Sequence, residues 1–286
     1  MNKKNLKVDK DAKRLMMQFL EQDAYLDVSE VIEYPPVAIS CGYYNDTDHN
    51  GKTSILPIPI GTYGNFSFIH AESKVGKSFF TSLLTSAFQG GKNKYTGKIK
   101  GFRGGEYGKK IIHFDTEQSR FHCQKVFRRP LTMNGIEEDN EYYTYALRNM
   151  DAAERVDFID YILTDKFNSE DIGLVIIDGI ADLLYDFNNI EQSQAVIQKL
   201  MTWTDDLKCH IITVIHSNNG SDKPAGTLGS FLEKKTETQI KLEKNSINQG
   251  WVTVECKRGR NRNFETFSFS VDDKGLPEFI DNSFEF

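Results

Sequence analysis

Residues 65–84 read NFSFIHAESKVGKSFFTSLL: a short apolar run, a turn closed by Gly76-Lys77-Ser78, and a run with helical character. This order constrains the chain more than any other feature. A helix that starts directly behind such a turn aims its unpaired N–H groups and the positive end of its dipole at whatever the turn holds, and a phosphate is the natural occupant. The phosphate-binding pattern G-x-x-x-x-G-K-[ST] would place glycine at Ala71. Alanine costs little there unless the backbone must adopt positive φ. A second Gly-Lys-Thr, at Gly51-Lys52-Thr53, is a decoy: Pro57 and Pro59 follow it, and no helix can begin there.

From residue 65 onward strands and helices alternate. NFSFIH precedes a helix from Lys77 to about Phe88, and KKIIHFD precedes one over EQSRFHCQKVFRR. The strand EYYTYAL leads to a helix from Asp151 to about Phe167, IGLVIID leads to one over EQSQAVIQKLMTWTDDL, and HIITVIH closes the series. Apolar strands separated by crossover-length helices predict an α/β fold with a mostly parallel sheet covered on both faces. Beyond Ser217 the runs TETQIKL, GWVTVEC and FETFSFSV alternate and are expected as antiparallel strands added at the C-terminal edge. Leu15, Met16, Phe19 and Leu20 fall at helical spacing within residues 9–22, either packing on their own domain or forming an arm that docks on a neighbouring subunit. The proline-bearing lead-in that follows reads as extended chain and turns. The expected organisation is a helical arm over residues 1–34 and one large domain over 35–286.

No apolar run approaches the length that crosses a bilayer, and MNKKNLKVDKDAKR lacks the apolar core of a secretion signal, so the expectation is a cytoplasmic protein with no membrane partner. Cys41, Cys123, Cys209 and Cys256 are scattered without a C-x-x-C pair, which argues against a disulfide framework or zinc ribbon. The net charge of −6 does not advertise nucleic acid. Two local clusters do: Lys92 to Lys110, with seven Lys and Arg against Glu106, and CKRGRNR at 256–262, with Lys257, Arg258, Arg260 and Arg262.

The phosphate loop assigns chemistry by position. Ala71, Glu72, Ser73, Lys74, Val75, Gly76, Lys77, Ser78 and Phe79 are the candidate nucleotide-binding residues. The backbone of Ser73 to Lys77 donates to phosphate, Lys77 reaches the β- and γ-phosphates, and the Ser78 hydroxyl binds magnesium. Lys74 either helps hold phosphate or faces solvent. LVIIDG ends an apolar strand on Asp178, the second candidate for Mg2+, and ATP with Mg2+ is the expected cofactor pair. Many ATPases carry a catalytic glutamate directly after that aspartate; here Gly179 follows. IIHFDTEQS offers Glu117 at another strand end, with the competing reading that Asp115 and Thr116 cap a helix whose first turn holds Glu117. His216 ends HIITVIH, as a satisfied core group or as part of the same edge, and SNNGSDKPAGTLGSF follows as a flexible loop.

These motifs together resemble the RecA-like P-loop ATPases, over roughly residues 35–280. The resemblance implies that Glu117 polarises the attacking water, that His216 senses the γ-phosphate, and that the following loop contacts single-stranded DNA. Arg258-Gly259-Arg260-Asn261 is similar to the late strand of ring helicases of the DnaB and plasmid RepA kind. Cations at this spacing there project into a neighbour's ATP site. Arg260 is then a trans-acting catalytic cation with Lys257 as candidate partner, and the alternative is a basic hairpin gripping nucleic-acid phosphates. The implied protein is a self-associating ring or filament, such as a hexamer, that hydrolyses ATP on single-stranded DNA in replication or mobilisation of a mobile element; the alternatives are a non-motor ATP-dependent DNA-binding regulator or assembly factor and a monomeric small-molecule kinase sharing the phosphate loop.

Overall fold

The computed structural model describes residues 3–90, 101–105, 108–218, 220–248 and 250–280. The basic stretch from Lys92 to Lys100 and Glu106 lie outside the described residues. The chain divides into two units, Met1–Tyr34 and Pro35–Phe286. The first carries helix α1 (Lys3–Ala24), longer at both ends than its apolar spacing predicts, and Leu15, Met16, Phe19 and Leu20 on it are exposed.

In the second unit, β3 (Asn65–Ala71), β5 (Lys110–Asp115), β6 (Tyr142–Ala146), β7 (Ile172–Asp178), β8 (His210–His216) and β9 (Thr238–Lys244) pair in parallel, in the order β9-β3-β8-β7-β5-β6. β10 (Val252–Gly259), β11 (Phe267–Val271) and β12 (Pro277–Ile280) extend the β9 side antiparallel. This is the mostly parallel sheet with antiparallel C-terminal strands of a RecA-like P-loop nucleotide hydrolase. Period-two alternation divides its strands between two cores. Ile69, Ile111, Leu174, Ile176 and Ile212 face helix α2 (Lys77–Gly90) through Phe80, Leu83, Leu84 and Phe88. Phe68, Ile112, Phe114, Val175 and Ile177 face the other way, onto α4 (Ala152–Tyr161), α5 (Ile190–Leu207) and α6 (Gly226–Lys235) through Ile159, Leu200, Trp203 and Leu232. Both faces are therefore apolar, which is why these strands lack a polar stripe.

Three expectations change, and the extended lead-in gains a definite form. TETQIKL supplies β9, which pairs parallel with β3 through Phe68↔Gln239, Ile69↔Ile240 and His70↔Lys241; only the later strands are antiparallel. The lead-in forms a hairpin, β1 (Val37–Thr47) and β2 (Thr53–Thr62), joined by β4 (Phe102–Gly104) in a separate three-stranded sheet. Pro57 and Pro59 sit on its edge strand, where a missing N–H is tolerated. Gly51-Lys52 forms the hairpin turn, with Asp48 Oδ1 accepting from the Asn50 and Lys52 amides. The predicted loop 217–231 ends early, because α6 starts at Gly226 and buries Leu228 and Leu232 despite its two glycines. Finally, α3 runs from Arg120 to Asn134, three residues later than predicted at its start and through Pro130 to a left-handed cap at Gly135.

No helix among the described residues is long and apolar enough to cross a membrane.

Candidate functional site at the carboxyl edge of the sheet

Parallel pairing brings four strand ends to one edge. Ala71 pairs with His216, and Asp115 pairs with Asp178, so the phosphate loop, His216, Asp178 and the segment after Asp115 share the place where α/β sheets bind ligands. Ala71 closes β3, buried, and is not among the residues with positive φ, so the missing glycine costs nothing. The left-handed conformations fall instead at Lys74 (φ 62°) and Gly76 (φ 117°). A side chain on Gly76 would crowd Val252.

Lys77 opens α2. Its Nζ donates to the carbonyl of Glu72 at 3.2 Å and to His216 Nδ1 at 3.0 Å, with Ala71 O at 3.4 Å. An ammonium only donates, so Nδ1 of His216 is the acceptor and Nε2 carries the proton, 3.3 Å from Glu117 Oε1. His216 thus bridges Lys77 and Glu117. Its hydrogen bond holds the Glu117 carboxyl below its ordinary pKa, against the opposing effect of burial, so Glu117 is ionised near neutrality. Burial pulls the Lys77 ammonium below its ordinary value, while Glu117 and Asp178 pull it back. Ser73 Oγ lies 3.4 Å from His216 Nδ1.

Asp115 and Asp178 divide the labour between two buried carboxylates. Asp115 Oδ1 accepts from the amides of Glu117 and Gln118 (3.0 and 2.8 Å), and Oδ2 from Gln118 Nε2 (2.6 Å). This turn delays α3 and leaves Glu117 outside the helix, projecting from the sheet edge rather than sitting in a first turn. Thr116 donates to Asp182 Oδ2 and to the carbonyls of Asp178 and Gly179, tying β5 to β7. Gly179 has φ 100°, and a Cβ there would collide with Thr116 Oγ1, so a glutamate directly after Asp178 does not fit.

Asp178 Oδ2 is buried and has no hydrogen-bond partner among the described residues. Burial first, then Asp115 and Glu117, pushes its pKa up to about 7. A buried carboxylate that cannot comfortably carry its charge, near enough to Lys77 for each to shift the other's pKa, forms with the hydroxyl of the adjoining Ser78 a hard-oxygen donor set that suits Mg2+. Ser78 and Asp178 therefore fit that ion.

A cleft of about 810 Å³ opens in front of the loop, within the range of ligand sites. Lys74 to Phe79, Glu117, Gln118 and His216 supply one wall. Lys244, Asn245, Gly250, Trp251, Val252 and Val271 supply a second. Sequence reading missed this second wall, although an aromatic in the turn-rich stretch NSINQGW between two strands was a usable signal. It also missed Arg129, whose guanidinium donates to Ser78 O, Ser82 Oγ and Gly275 O and lies 4.0 Å from the Phe79 ring centroid.

Arg260 is not part of this cluster. β10 leaves the cleft at Val252, paired with Lys244, and reaches Gly259, paired with Thr238 at the amino end of β9. Eight residues of strand cover about 23 Å. Arg260 is exposed at that far edge, where Nη2 donates to Lys235 O at 2.7 Å. Lys257 is engaged by Glu255 and Asp222 at 3.3 and 3.8 Å.

Among curated proteins none matches the chain. The family described as AAA domain matches residues 60–222, more than half of the sequence, from β2 to the loop after His216. A phosphate loop closed by Lys77-Ser78, a carboxylate on the next strand but one whose buried Oδ2 has no partner among the described residues, and this match agree on one conclusion: the chain belongs to the AAA domain family and is an ATP-binding P-loop ATPase.

Proposed function

We propose that the protein is a ring- or filament-forming ATPase that couples ATP hydrolysis to movement on, or remodelling of, single-stranded DNA in replication or mobilisation of a mobile element. The observation that carries hydrolysis is His216 held between Lys77 and Glu117 at the head of the phosphate loop. Glu117, ionised and partly exposed, is placed to take the proton of an attacking water at Oε. Lys77 and the amides of Ser73 to Lys77 bind phosphate. Ser78 and Asp178 would hold Mg2+, which when bound neutralises charge on the phosphate oxygens.

His216 couples the site to the loop that follows. A group that draws Lys77 toward phosphate removes the donor from Nδ1, and the rearrangement passes to residues 217–225 through the chain itself. That loop is fastened to the phosphate loop by the Gly220 amide donating to Glu72 Oε1, and to β9 by Asp222 with Lys241. This linkage supports a nucleotide-dependent hold on DNA by the loop.

Arg260 is the trans-acting cation. It lies about the length of a strand from its own phosphate loop, so stabilising charge on a transferring phosphate requires the site of another copy. Lys257, already held by two carboxylates, plays the lesser part. The exposed apolar stripe of α1 supports self-association.

The test is ATP turnover with and without single-stranded DNA, alongside strand separation on a forked substrate. The proposal expects DNA to raise multiple-turnover hydrolysis. Slow, stoichiometric and DNA-independent turnover would instead identify an ATP-switched DNA-binding regulator.

A further inference from the structure

Resting on the reading of residues 71–79 as the phosphate site, we infer that the hairpin between β9 and β10 forms a nucleobase subsite that grips its ligand by stacking on Trp251 and does not read the base edge. The substrate class is then nucleoside triphosphates at large, with guanine and cytosine nucleotides accepted beside adenine.

Geometry fixes the subsite first. The phosphate loop and the hairpin line the same cleft, and Val252, next to Trp251, is the side chain that a Cβ on Gly76 of the loop would meet first. A triphosphate anchored at Lys77 directs its nucleoside toward the hairpin. Trp251 is half-buried there, flanked by Val252 and Val271, and among the described residues no other ring stacks on its indole. Its fold position is stable, because Asn245 N donates to Trp251 O and Trp251 N donates to Asn248 O.

Selectivity follows from what the polar neighbours are already doing. Asn245 would be the natural reader of a base edge, but Oδ1 accepts from the amides of Ile247 and Asn248, and Nδ2 donates to Thr253. Its acceptor is committed to the hairpin turn, and the one remaining Nδ2 hydrogen can only donate, as every base edge allows. Gln118 Nε2 donates to Asp115 at the end of β5, four strands from β9 and on the other side of the phosphate loop from the hairpin. Lys244, exposed at the rim, only donates, so it tolerates the acceptor edge of guanine at least as well as adenine. Strong base discrimination needs buried groups that go unpaired with the wrong base, and stacking on a ring accepts any base because each has a π face.

The chain has two tryptophans, and Trp203 is buried with its Nε1 donating to Asp160, so fluorescence changes on nucleotide addition report Trp251. The full-length protein is titrated in Mg2+ with ATP, GTP, CTP and inorganic tripolyphosphate, following tryptophan emission and, in parallel, binding by calorimetry. The three nucleotides are expected to quench emission with affinities within about tenfold of one another, and tripolyphosphate to bind without quenching. Trp251→Ala should weaken all three nucleotides about tenfold or more while leaving tripolyphosphate affinity unchanged, and Trp251→Phe should recover most of that loss. Nucleotide binding without quenching, with Trp251→Ala indistinguishable from the parent, places the base elsewhere and overturns the inference. So does GTP or CTP binding a hundredfold or more weaker than ATP. If neither ATP nor tripolyphosphate binds by calorimetry, the phosphate-loop reading itself fails.

Discussion

At the scale of single residues, chemistry hangs on a few protons. Glu117→Gln keeps an acceptor for His216 Nε2 but removes the base, so ATP binding should persist while turnover falls about 100-fold or more. Parallel calorimetry and phosphate release would separate the two effects; equal loss of both would remove Glu117 from the chemistry. Asp178 makes a pH prediction with a definite sign. Its folded pKa of about 7 lies above the unfolded value of 3.8, so from about pH 4 to pH 7 the folded state holds a proton the unfolded state has lost. Stability attributable to Asp178 is therefore greatest at the acid end and declines as pH rises through this window. Melting curves should show that decline, Asp178→Asn should flatten it, and Mg2+ should raise the melting temperature more at pH 8 than at pH 6. Lys77, Ser78, Asp178 and His216 were readable because they close a strand or open a helix, and Glu117 because it follows the end of β5, positions that period and polarity mark. Arg129 and Asn245 were not, since their relation to the loop exists only after distant elements pack, and Trp251 was marked only as an aromatic in a turn.

Elements show where local signals were overruled. β9 alternates like an edge strand, but its pairing with β3 buries residues on both faces, including Gln239, whose Nε2 donates to Glu233 Oε1, and Lys241, whose Nζ donates to Asp222 and Glu243. Sequence polarity there pointed to an edge; hydrogen bonding made it interior. The glycines of α6 spoke for a loop, and burial of Leu228 and Leu232 outweighed them. Two backbone positions test the turns directly. Gly179→Ala forces a side chain into left-handed backbone against Thr116, and should cost about 1–3 kcal/mol in denaturant unfolding, with turnover reduced through displacement of Asp178. Lys74→Gly removes a non-glycine residue from left-handed backbone and should raise stability by about 1 kcal/mol. A fall in stability would mean that the Lys74 side chain is fastened within the loop.

For the whole molecule, the separation of Arg260 from its own phosphate loop carries the most weight. The mostly parallel sheet was legible from alternating strands and crossover helices, because that pattern has few topological solutions. Which edge each late strand would reach was not, because it depends on β10 reversing beside a parallel β9. Under the proposed function, the active site is divided between copies of the chain. Arg260→Ala should bind ATP normally and turn it over far more slowly. Mixing Arg260→Ala with Glu117→Gln protein is the most direct test. Neither variant should hydrolyse ATP appreciably alone, and co-assembly should restore turnover well above either, because sites pairing an intact Glu117 with a neighbour's intact Arg260 reappear. A mixture that stays at the sum of its two inactive parts would contradict the shared site.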